Sequence, residues 1–217
     1  ETININEIKI GYDDHYASKD VNPEITNAIR KVVKIFESLN LNIEEVQMPD
    51  VGQFLSYWPI LCSSEAALAH AENYPSKKNQ YGKWFAEWLQ KGCDVSKAEY
   101  IEASIKRDES NNLISNSLKN VDVLIAPTLI DFPHYVDDKI HYGSIDKNRN
   151  KDTGKFTIPF NYNRYPTLTL PCGFSKSGLP IGLQIIGKPM TEAMICALGA
   201  KYEQITDWHN KHPENYN

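Results

Sequence analysis

The sequence contains one adjacent serine pair, Ser63-Ser64, whose residue type suits nucleophilic attack on a carbonyl. A catalytic serine of this kind usually sits on a sharp, glycine-rich turn that exposes its hydroxyl. These two serines lie instead within a helical pattern, between Cys62 and Glu65. We therefore predict that both pack within a helix and that neither is a nucleophile.

Histidine and aspartate residues at metal-ligand spacing occur near both ends of the chain. His209 and His212 lie three residues apart, and Asp13-Asp14-His15 follows a short apolar run. A zinc site needs at least three protein ligands, and no third ligand accompanies the two histidines. We interpret the histidines as a solvated helix end and the acidic run as a loop, and we predict neither a metal site nor a cofactor.

Cysteine is the remaining nucleophilic residue type. Cys172 follows an apolar run and would attack a substrate only with a histidine beside it. Its apolar neighbours favour a buried core thiol, and the same interpretation holds for Cys62, Cys93 and Cys196. The four cysteines include no Cys-x-x-Cys pair, which argues against a zinc site and a disulfide scaffold.

Composition excludes several classes of protein. The 217 residues are 41% hydrophobic and 24% charged, as is typical of a globular domain, and the net charge of -5 argues against a nucleic-acid partner. Since no apolar run approaches the roughly 20 residues of a membrane span, we expect no membrane partner and a cytoplasmic protein. The chain begins at Glu1 rather than at Met, as is expected of a fragment.

The elements that must position these residues predict an α/β fold. Strands are predicted over residues 8–12 and 42–47, joined by a helix that Asn22 caps, Pro23 begins and Asn40 ends. A strand, a helix and a strand in this order predict a parallel pair.

Helices dominate the middle of the chain. A helical stretch over 54–74 is kinked or started by Pro59, and a short aromatic segment covers 80–89. Ser96 and Glu99 form a capping box, which predicts a helix to about residue 119.

The remainder is predicted to hold three strands, a long loop and a last helix. The strands cover 121–127, 167–171 and 179–186. Residues 128–155 have no firm periodicity and are predicted to form an irregular loop, of a length that is usually functional. Residues 175–178 form either a tight turn or a short crossover, and Thr191 caps the last helix.

Four segments resemble the C-terminal half of amidase signature enzymes. In the family's order they are DVLIAPT at 122–128, FTIPFNY at 156–162, LPCGF at 170–174 and GLPIGLQIIGKP at 178–189. The resemblance spans nearly the whole chain. It implies that residues 1–217 are the C-terminal portion of a single amidase-like α/β/α domain, with part of a mixed β-sheet flanked by helices.

The resemblance also implies a chemistry. Members of this family hydrolyse carboxylic amides with two serines and a lysine, all in the N-terminal half, where the serines lie in a Gly-Gly-Ser-Ser-Gly-Gly-type run. This sequence contains no such run, so the resemblance implies no catalytic residue in this chain and no activity of the chain alone. The implied partners are the N-terminal half and a small-molecule amide.

The loop after Pro127 and the irregular stretch ahead of Phe156 are the predicted walls of an acyl pocket, because ligands of α/β sheets bind beyond the carboxyl ends of strands. The side chains predicted to line it are Thr128, Leu129, Ile130, Phe132 and Tyr135. The alternative, that they only cover the edge of the sheet, stays open.

Two positions bear on the type of amide. Family members that use glutamine, such as the amidotransferase subunits that serve tRNA-linked substrates, hold the amino acid with an arginine and an aspartate. This chain has Gln80 and Gly154 there, although Asp152 would substitute under a shifted alignment. Each lost charge-assisted contact is worth ~1.5–3 kcal/mol. The chain therefore resembles an amidase of neutral or apolar acyl amides.

Three functions stay open at this point. The chain is the pocket-forming part of an amidase, a non-catalytic binding or assembly subunit from a split gene, or part of a glutamine-dependent tRNA amidotransferase subunit. Residues 181–186 are apolar at nearly every position, as expected of a strand covered on both sides. Without its partner, such a chain is expected to self-associate or to expose an apolar patch.

Overall fold

A mixed sheet forms the centre of the computed structural model, which describes residues 3–133 and 154–211. Its strands are β1 Lys9–Tyr12, β2 Asn42–Glu45, β3 Val123–Pro127, β4 Thr167–Phe174 and β5 Pro180–Gly187. They lie in the order β2-β1-β3-β5-β4. β1 is parallel to β2 and β3, whereas β5 is antiparallel to β3 and β4. The predicted α/β class and mixed sheet are confirmed, and the carboxyl ends of β1, β2 and β3 meet on one side.

Helices flank this sheet. They are α1 Asp14–Ser18, α2 Pro23–Ser38, α3 Trp58–Ala69, α4 Lys83–Asp94, α5 Lys97–Ser117, α6 Ile158–Asn163 and α7 Glu192–Ile205. Short 3-10 helices cover Ile5–Glu7, Gly52–Tyr57, Lys78–Gln80 and Trp208–Asn210. Within the described ranges, none of the helices combines the length and apolar content that a bilayer span needs.

Helices α2 and α7 cover one face of the sheet. The rings of Phe36 on α2 and Tyr202 on α7 lie edge to face with 5.8 Å between their centroids. α6 packs against the start of α3 and the segment before it: its Tyr162 hydroxyl donates to the carbonyl of Phe54 at 2.8 Å, and the Tyr162 ring contacts Trp58. The apolar side chains of residues 181–186 are buried within this chain, as their apolar pattern predicts.

The α2 helix follows its local signals. The Asn22 side chain accepts from the backbone N–H of Glu24, and Pro23 occupies the first turn, where its missing N–H costs nothing. Asn40 takes a left-handed conformation with φ of 57°, which ends the helix. The buried face holds the predicted apolar stripe of Ile25, Ile29, Val32, Val33 and Phe36.

The stretch 54–74 departs from its prediction. The departure is in its end: α3 stops at Ala69 rather than near residue 74. Pro59 starts α3, one of the two predicted outcomes, because it lacks an N–H and is accepted only in the first turn of a helix; the 3-10 helix Gly52–Tyr57 precedes it. In the last turn of α3, Ala67 is buried whereas Leu68 is 79% exposed. The aromatic segment predicted over 80–89 proves to be the start of α4. The capping box of α5 is confirmed: the Glu99 N–H donates to Ser96 Oγ, and the Ser96 N–H donates to the Glu99 carboxylate.

A hairpin joins β4 to β5 and excludes the crossover alternative. The Ser175 N–H donates to the Leu179 carbonyl at 2.8 Å, and Gly178 has φ of 82°, a conformation that glycine adopts without strain. After β5, Thr191 stands at the predicted start of α7. Its hydroxyl, however, donates to the Lys188 carbonyl rather than capping the helix.

The contact between α3 and α4 generates a stability prediction. A Cβ added at Gly92 would overlap the Ser63 carbonyl and approach Ala67 Cβ to 2.9 Å. Helix propensity alone favours alanine over glycine by about 1 kcal/mol. Because the overlap is with backbone and forces the helices apart, we expect Gly92→Ala to lower the free energy of unfolding by about 2 kcal/mol net in urea denaturation.

The matched control is Gly82→Ala, because a Cβ at Gly82 meets nothing within 4 Å. It should change stability by less than about 1 kcal/mol, the scale of a weakened helix cap. A Gly92→Ala protein more stable than the parent would show that the two helices do not approach this closely.

Candidate functional site

A cavity of about 230 Å³ lies beyond the carboxyl ends of the three parallel strands. Its lining comes from α1, from the segment after β2, from the loop after β3 and from Lys155. The lining residues are Asp13, His15, Tyr16, Lys19, Asp20, Met48, Pro49, Asp50, Val51, Gly52, Leu55, Ile130 and Lys155. This is the position at which α/β sheets bind their ligands.

Asp13 holds two walls of the cavity together. It directly follows β1 and is 9% exposed. One carboxylate oxygen accepts from the Tyr16 N–H at 2.9 Å and caps α1, while the other accepts from the Met48 N–H at 2.7 Å, beyond β2. A buried carboxylate needs such partners, since an unpaired charge away from water is costly.

The acidic run at 13–15 is therefore not the loop that the sequence predicts. It caps and begins α1. The Asp14 carboxylate accepts two hydrogen bonds from the Arg30 guanidinium at 2.7 Å each, which anchors α1 to α2. This guanidinium lowers the pKa of the Asp14 carboxyl to about 2, and the Tyr12 hydroxyl also donates to it.

Tyr16 and Lys155 form another part of the cavity lining and contact each other. The Tyr16 hydroxyl donates to the Lys155 carbonyl at 3.0 Å, and Lys155 Nζ donates to the Lys19 carbonyl at 2.8 Å. The ammonium lies 5.1 Å from the Tyr16 ring centroid and 5.0 Å from that of Phe156, within cation–π range. Burial, followed by the nearby Asp13 charge, raises the pKa of Tyr16, so this hydroxyl stays protonated as a donor.

Gln184 anchors both ends of the segment that the sequence predicts to be a loop. The side chain lies on β5 and is 4% exposed. Its amide nitrogen donates to the Pro127 carbonyl at 2.8 Å and to the Phe156 carbonyl at 2.9 Å. One side chain thus brings the residues just after β3 and those just before α6 to the same place.

The predicted pocket residues separate in the structure. Ile130 lines the cavity, is 2% exposed, and its carbonyl accepts from the Asn22 N–H at 2.8 Å. Thr128 turns its hydroxyl to the Gly182 carbonyl, Leu129 is 41% exposed, and Phe132 packs against the main core. Tyr135 lies outside the described residues. A substrate contact for any of them stays a prediction.

Gln80 and Gly154 stand where glutamine-using relatives are expected to have their arginine and aspartate, and they lie in different surroundings. Gln80 is an exposed residue of the 3-10 helix Lys78–Gln80 and adjoins a small aromatic cluster that contains Tyr81. A Cβ added at Gly154 would overlap Cδ1 of Ile158 and approach its Cγ1 to 2.8 Å. Neither Gln80 nor Gly154 lines the cavity, and Asp152 lies outside the described residues.

The other candidate nucleophiles are structural. Ser63 and Ser64 both donate to the Ile60 carbonyl within α3, as packed helix serines do, which confirms that prediction. Burial raises the pKa of the Cys172 thiol to about 12, which confirms a core thiol. Cys93 and Cys196 are exposed, so the prediction of buried thiols is wrong for these two. Across 3–133 and 154–211, His, Cys, Asp and Glu side chains form no group of three or more that could hold a metal ion.

Sequence reasoning missed most of the cavity lining. Tyr16, Met48, Val51, Leu55 and Lys155 were not among its candidates. The available signal was positional: four of the five follow the carboxyl end of β1 or β2, the two strands that the sequence already pairs as parallel neighbours. Lys155 lies in the stretch ahead of Phe156 that the sequence predicts as a wall of the pocket, and its hydrogen bonds with Tyr16 and Lys19 hold it at the cavity.

Known proteins similar to this chain are amide-acting enzymes. A family model described as Amidase matches residues 3–196. Among curated proteins, a subunit of the glutamyl-tRNA(Gln) amidotransferase of Thermodesulfovibrio yellowstonii is 32% identical over 229 residues, covering 95% of this chain and 46% of that protein. An amidase of Pseudomonas putida is 29% identical over 210 residues, covering 95% and 45%. The chain spans about half the length of the curated relatives it matches.

Solved structures show the same fold. A 6-aminohexanoate cyclic dimer hydrolase superposes with a TM-score of 0.80 at 20% identity, covering 99% of this chain and 48% of the other. A structure described as an amidase gives 0.78 at 21% identity, covering 94% and 47%. The corresponding glutamyl-tRNA(Gln) amidotransferase subunit of Thermotoga maritima gives 0.62 at 18% identity, covering 88% and 41%.

The Gln184 contacts generate a second prediction. Gln184→Met keeps the length of the side chain but removes the donor to two buried carbonyls, and each such acceptor left without a partner costs about 1–3 kcal/mol. We expect a loss of about 2–4 kcal/mol in the free energy of unfolding, together with faster amide hydrogen exchange at Thr128 and Thr157. Gln204→Met is the control, since Gln204 is exposed on α7. Equal stability of the two variants would show that Gln184 does not hold the two ends.

Proposed function

Because the chain belongs to the amidase signature family, we propose that it forms the C-terminal, pocket-forming part of an enzyme that hydrolyses carboxylic amides. The observation that carries this proposal is that the one adjacent serine pair in the sequence is not available as a nucleophile. The hydroxyls of Ser63 and Ser64 donate hydrogen bonds to the Ile60 carbonyl within α3, and the sequence holds no glycine-flanked serine run that would replace them. The nucleophile and its base would then come from residues outside these 217.

We propose that the remaining part of the enzyme extends the sheet at β4. This strand stands at one edge of the sheet and is eight residues long. Thr167 and Thr169 are exposed on it, and an edge strand of this length offers unpaired backbone groups to a further strand. In its absence, a second copy of this chain is the competing occupant, which would make the isolated chain self-associate.

The proposed substrates are neutral amides with an apolar acyl group. Where a glutamine-binding carboxylate is expected, Gly154 stands with its Cβ position occupied by Ile158. Where the matching arginine is expected, Gln80 is uncharged. A pocket without these charges offers no ion pair to offset the free-energy cost of desolvating an ammonium and a carboxylate.

A second candidate function is part of a glutamine-dependent amidotransferase subunit. The observation in its favour is the 32% identity with the amidotransferase subunit of Thermodesulfovibrio yellowstonii, whose name states that it acts on glutamyl-tRNA(Gln). This candidate hydrolyses the side-chain amide of glutamine, which carries an ammonium and a carboxylate group. The two candidates therefore differ in whether the preferred substrate is charged or neutral. A non-catalytic assembly subunit, the third possibility, predicts no contribution to either reaction.

The first prediction from this proposal concerns the isolated chain. Purified 217-residue protein should hydrolyse no member of a panel of aryl and aliphatic amides, because its sequence holds no glycine-flanked serine run to supply the nucleophile and the oxyanion loop. A fluorophosphonate should label no serine. Any trace activity must be compared with a Ser63→Ala variant, since turnover that disappears with Ser63 would identify this serine as a nucleophile and overturn the proposal.

The second prediction concerns the complete enzyme. Its kcat/KM for benzamide or hexanamide should exceed that for glutamine at least about tenfold, because several kcal/mol are lost for each unpaired ion. Glutaramide is the matched control substrate: it has the reacting amide of glutamine without the charged groups, and it should react faster than glutamine. A glutamine rate equal to that of the best neutral amide would support the amidotransferase candidate instead.

A further inference from the structure

The buried lining of the cavity is mainly apolar, whereas its exposed lining residues are mainly charged. The buried residues are Tyr16, Met48, Val51 and Ile130, together with Asp13, whose two carboxylate oxygens are both taken by backbone N–H groups. Leu55 adds a half-buried side chain. His15, Lys19 and Asp20 are exposed and lie at the mouth. Pockets that bind small molecules commonly combine an apolar lining with a few polar groups that orient the ligand.

The volume limits what the cavity can hold. An apolar cavity of ~150 Å³ is large enough to bind benzene. At about 230 Å³, this cavity accommodates one six-membered ring with a short substituent, or an alkyl chain of similar volume. It is too small for a large amino acid derivative to enter whole.

The charges in the lining argue for a neutral ligand. Asp13, Asp20 and Asp50 line the cavity together with Lys19 and Lys155, so that three acidic side chains accompany two basic ones. Both Asp13 oxygens accept backbone hydrogen bonds, Asp50 accepts from the Gly52 N–H, and Lys155 Nζ donates to the Lys19 carbonyl. An ionic ligand would meet charge of its own sign here as readily as the opposite charge, whereas a neutral one loses little on desolvation.

We propose that this cavity binds the apolar group of a small uncharged amide, with the ring or alkyl chain against Tyr16, Leu55 and Ile130 and the amide towards the charged mouth. The proposal rests on the proposed amide hydrolysis and adds to it the place and size of the group that is recognised. Binding requires only residues of this chain. It can therefore be measured without catalysis.

The experiment is a ligand titration of the 217-residue chain followed by protein and ligand NMR. The probes are benzamide, benzoate and the benzylammonium ion, which share one ring and differ in charge. We expect benzamide to bind at least tenfold more tightly than either ion, with shift changes at Tyr16 and Ile130. Binding of an ion as tight as that of benzamide, or shift changes confined to other regions, would overturn the proposal.

Two variants of one short helix give the matched comparison. Leu55→Trp fills the cavity and should weaken benzamide binding at least tenfold, whereas Gln53→Trp adds the same ring at an exposed position of the same 3-10 helix and should change binding less than twofold. Thermal unfolding first establishes that both variants are folded. Equal affinities would contradict the assigned site.

Leu55→Ala replaces this test if Leu55→Trp does not fold. It enlarges the cavity, so the ratio of 4-propylbenzamide to benzamide affinity should rise at least fivefold over that of the parent chain. An unchanged ratio would contradict the proposal.

Failure of this inference is distinguishable from failure of the proposed function. If the complete enzyme hydrolyses benzamide and Leu55→Trp leaves its KM unchanged, amide hydrolysis stands and the cavity is not the site. If the chain binds benzamide through Leu55 but the complete enzyme hydrolyses no amide, the binding site stands and the proposed function fails.

Discussion

The amide of Gln184 joins two backbone segments that are far apart in sequence, and the cavity depends on this contact. A buried amide on a central strand is costly unless its donors are used, and both of the carbonyls that it binds are main-chain groups. Pro127 ends β3, and Phe156 precedes α6. Ile130 and Lys155 lie a few residues from these two anchors, which is why they reach the same cavity.

The buried carboxylate of Asp13 plays the complementary part on the opposite wall. It connects the first turn of α1 with the chain beyond β2, and so fixes the gap between two neighbouring parallel strands at their carboxyl ends. In the sequence alone, Asp13 belongs to a run of residue types that suit a metal ligand. In the structure both of its oxygens accept backbone N–H groups, so its charge supports the site rather than reacting in it. The apolar side chains of the buried lining therefore remain available to contact a ligand.

The α3–α4 pair forms a second, smaller packing unit. Gly92 lets the two helices approach so closely that an added Cβ would overlap the Ser63 carbonyl, and Tyr74, Ala86 and Leu89 form a separate small core beside it. Gln80 adjoins this unit, whereas Gly154 lies beside Ile158, which packs against the main core. The two positions that would together recognise glutamine are thus held by different packing units, and neither carries a charge.

Local signals in the sequence determined most elements of this protein. Asn22, Pro23 and Asn40 delimit α2 and the Ser96–Glu99 box begins α5, because each acts within a few residues of itself. For residues 175–178 the sequence left a tight turn and a crossover open, and the structure decided for the hairpin. Motif order also determined the family. The tertiary structure alone decided which side chains share the cavity: Ile130 is enclosed while neighbouring Leu129 is exposed, and Tyr16, Leu55 and Lys155 meet from three distant segments. The reason is that these contacts depend on the sheet order β2-β1-β3-β5-β4 and on long-range hydrogen bonds such as those from Gln184 to Phe156 and from Tyr16 to Lys155, and neither leaves a periodic pattern in the sequence.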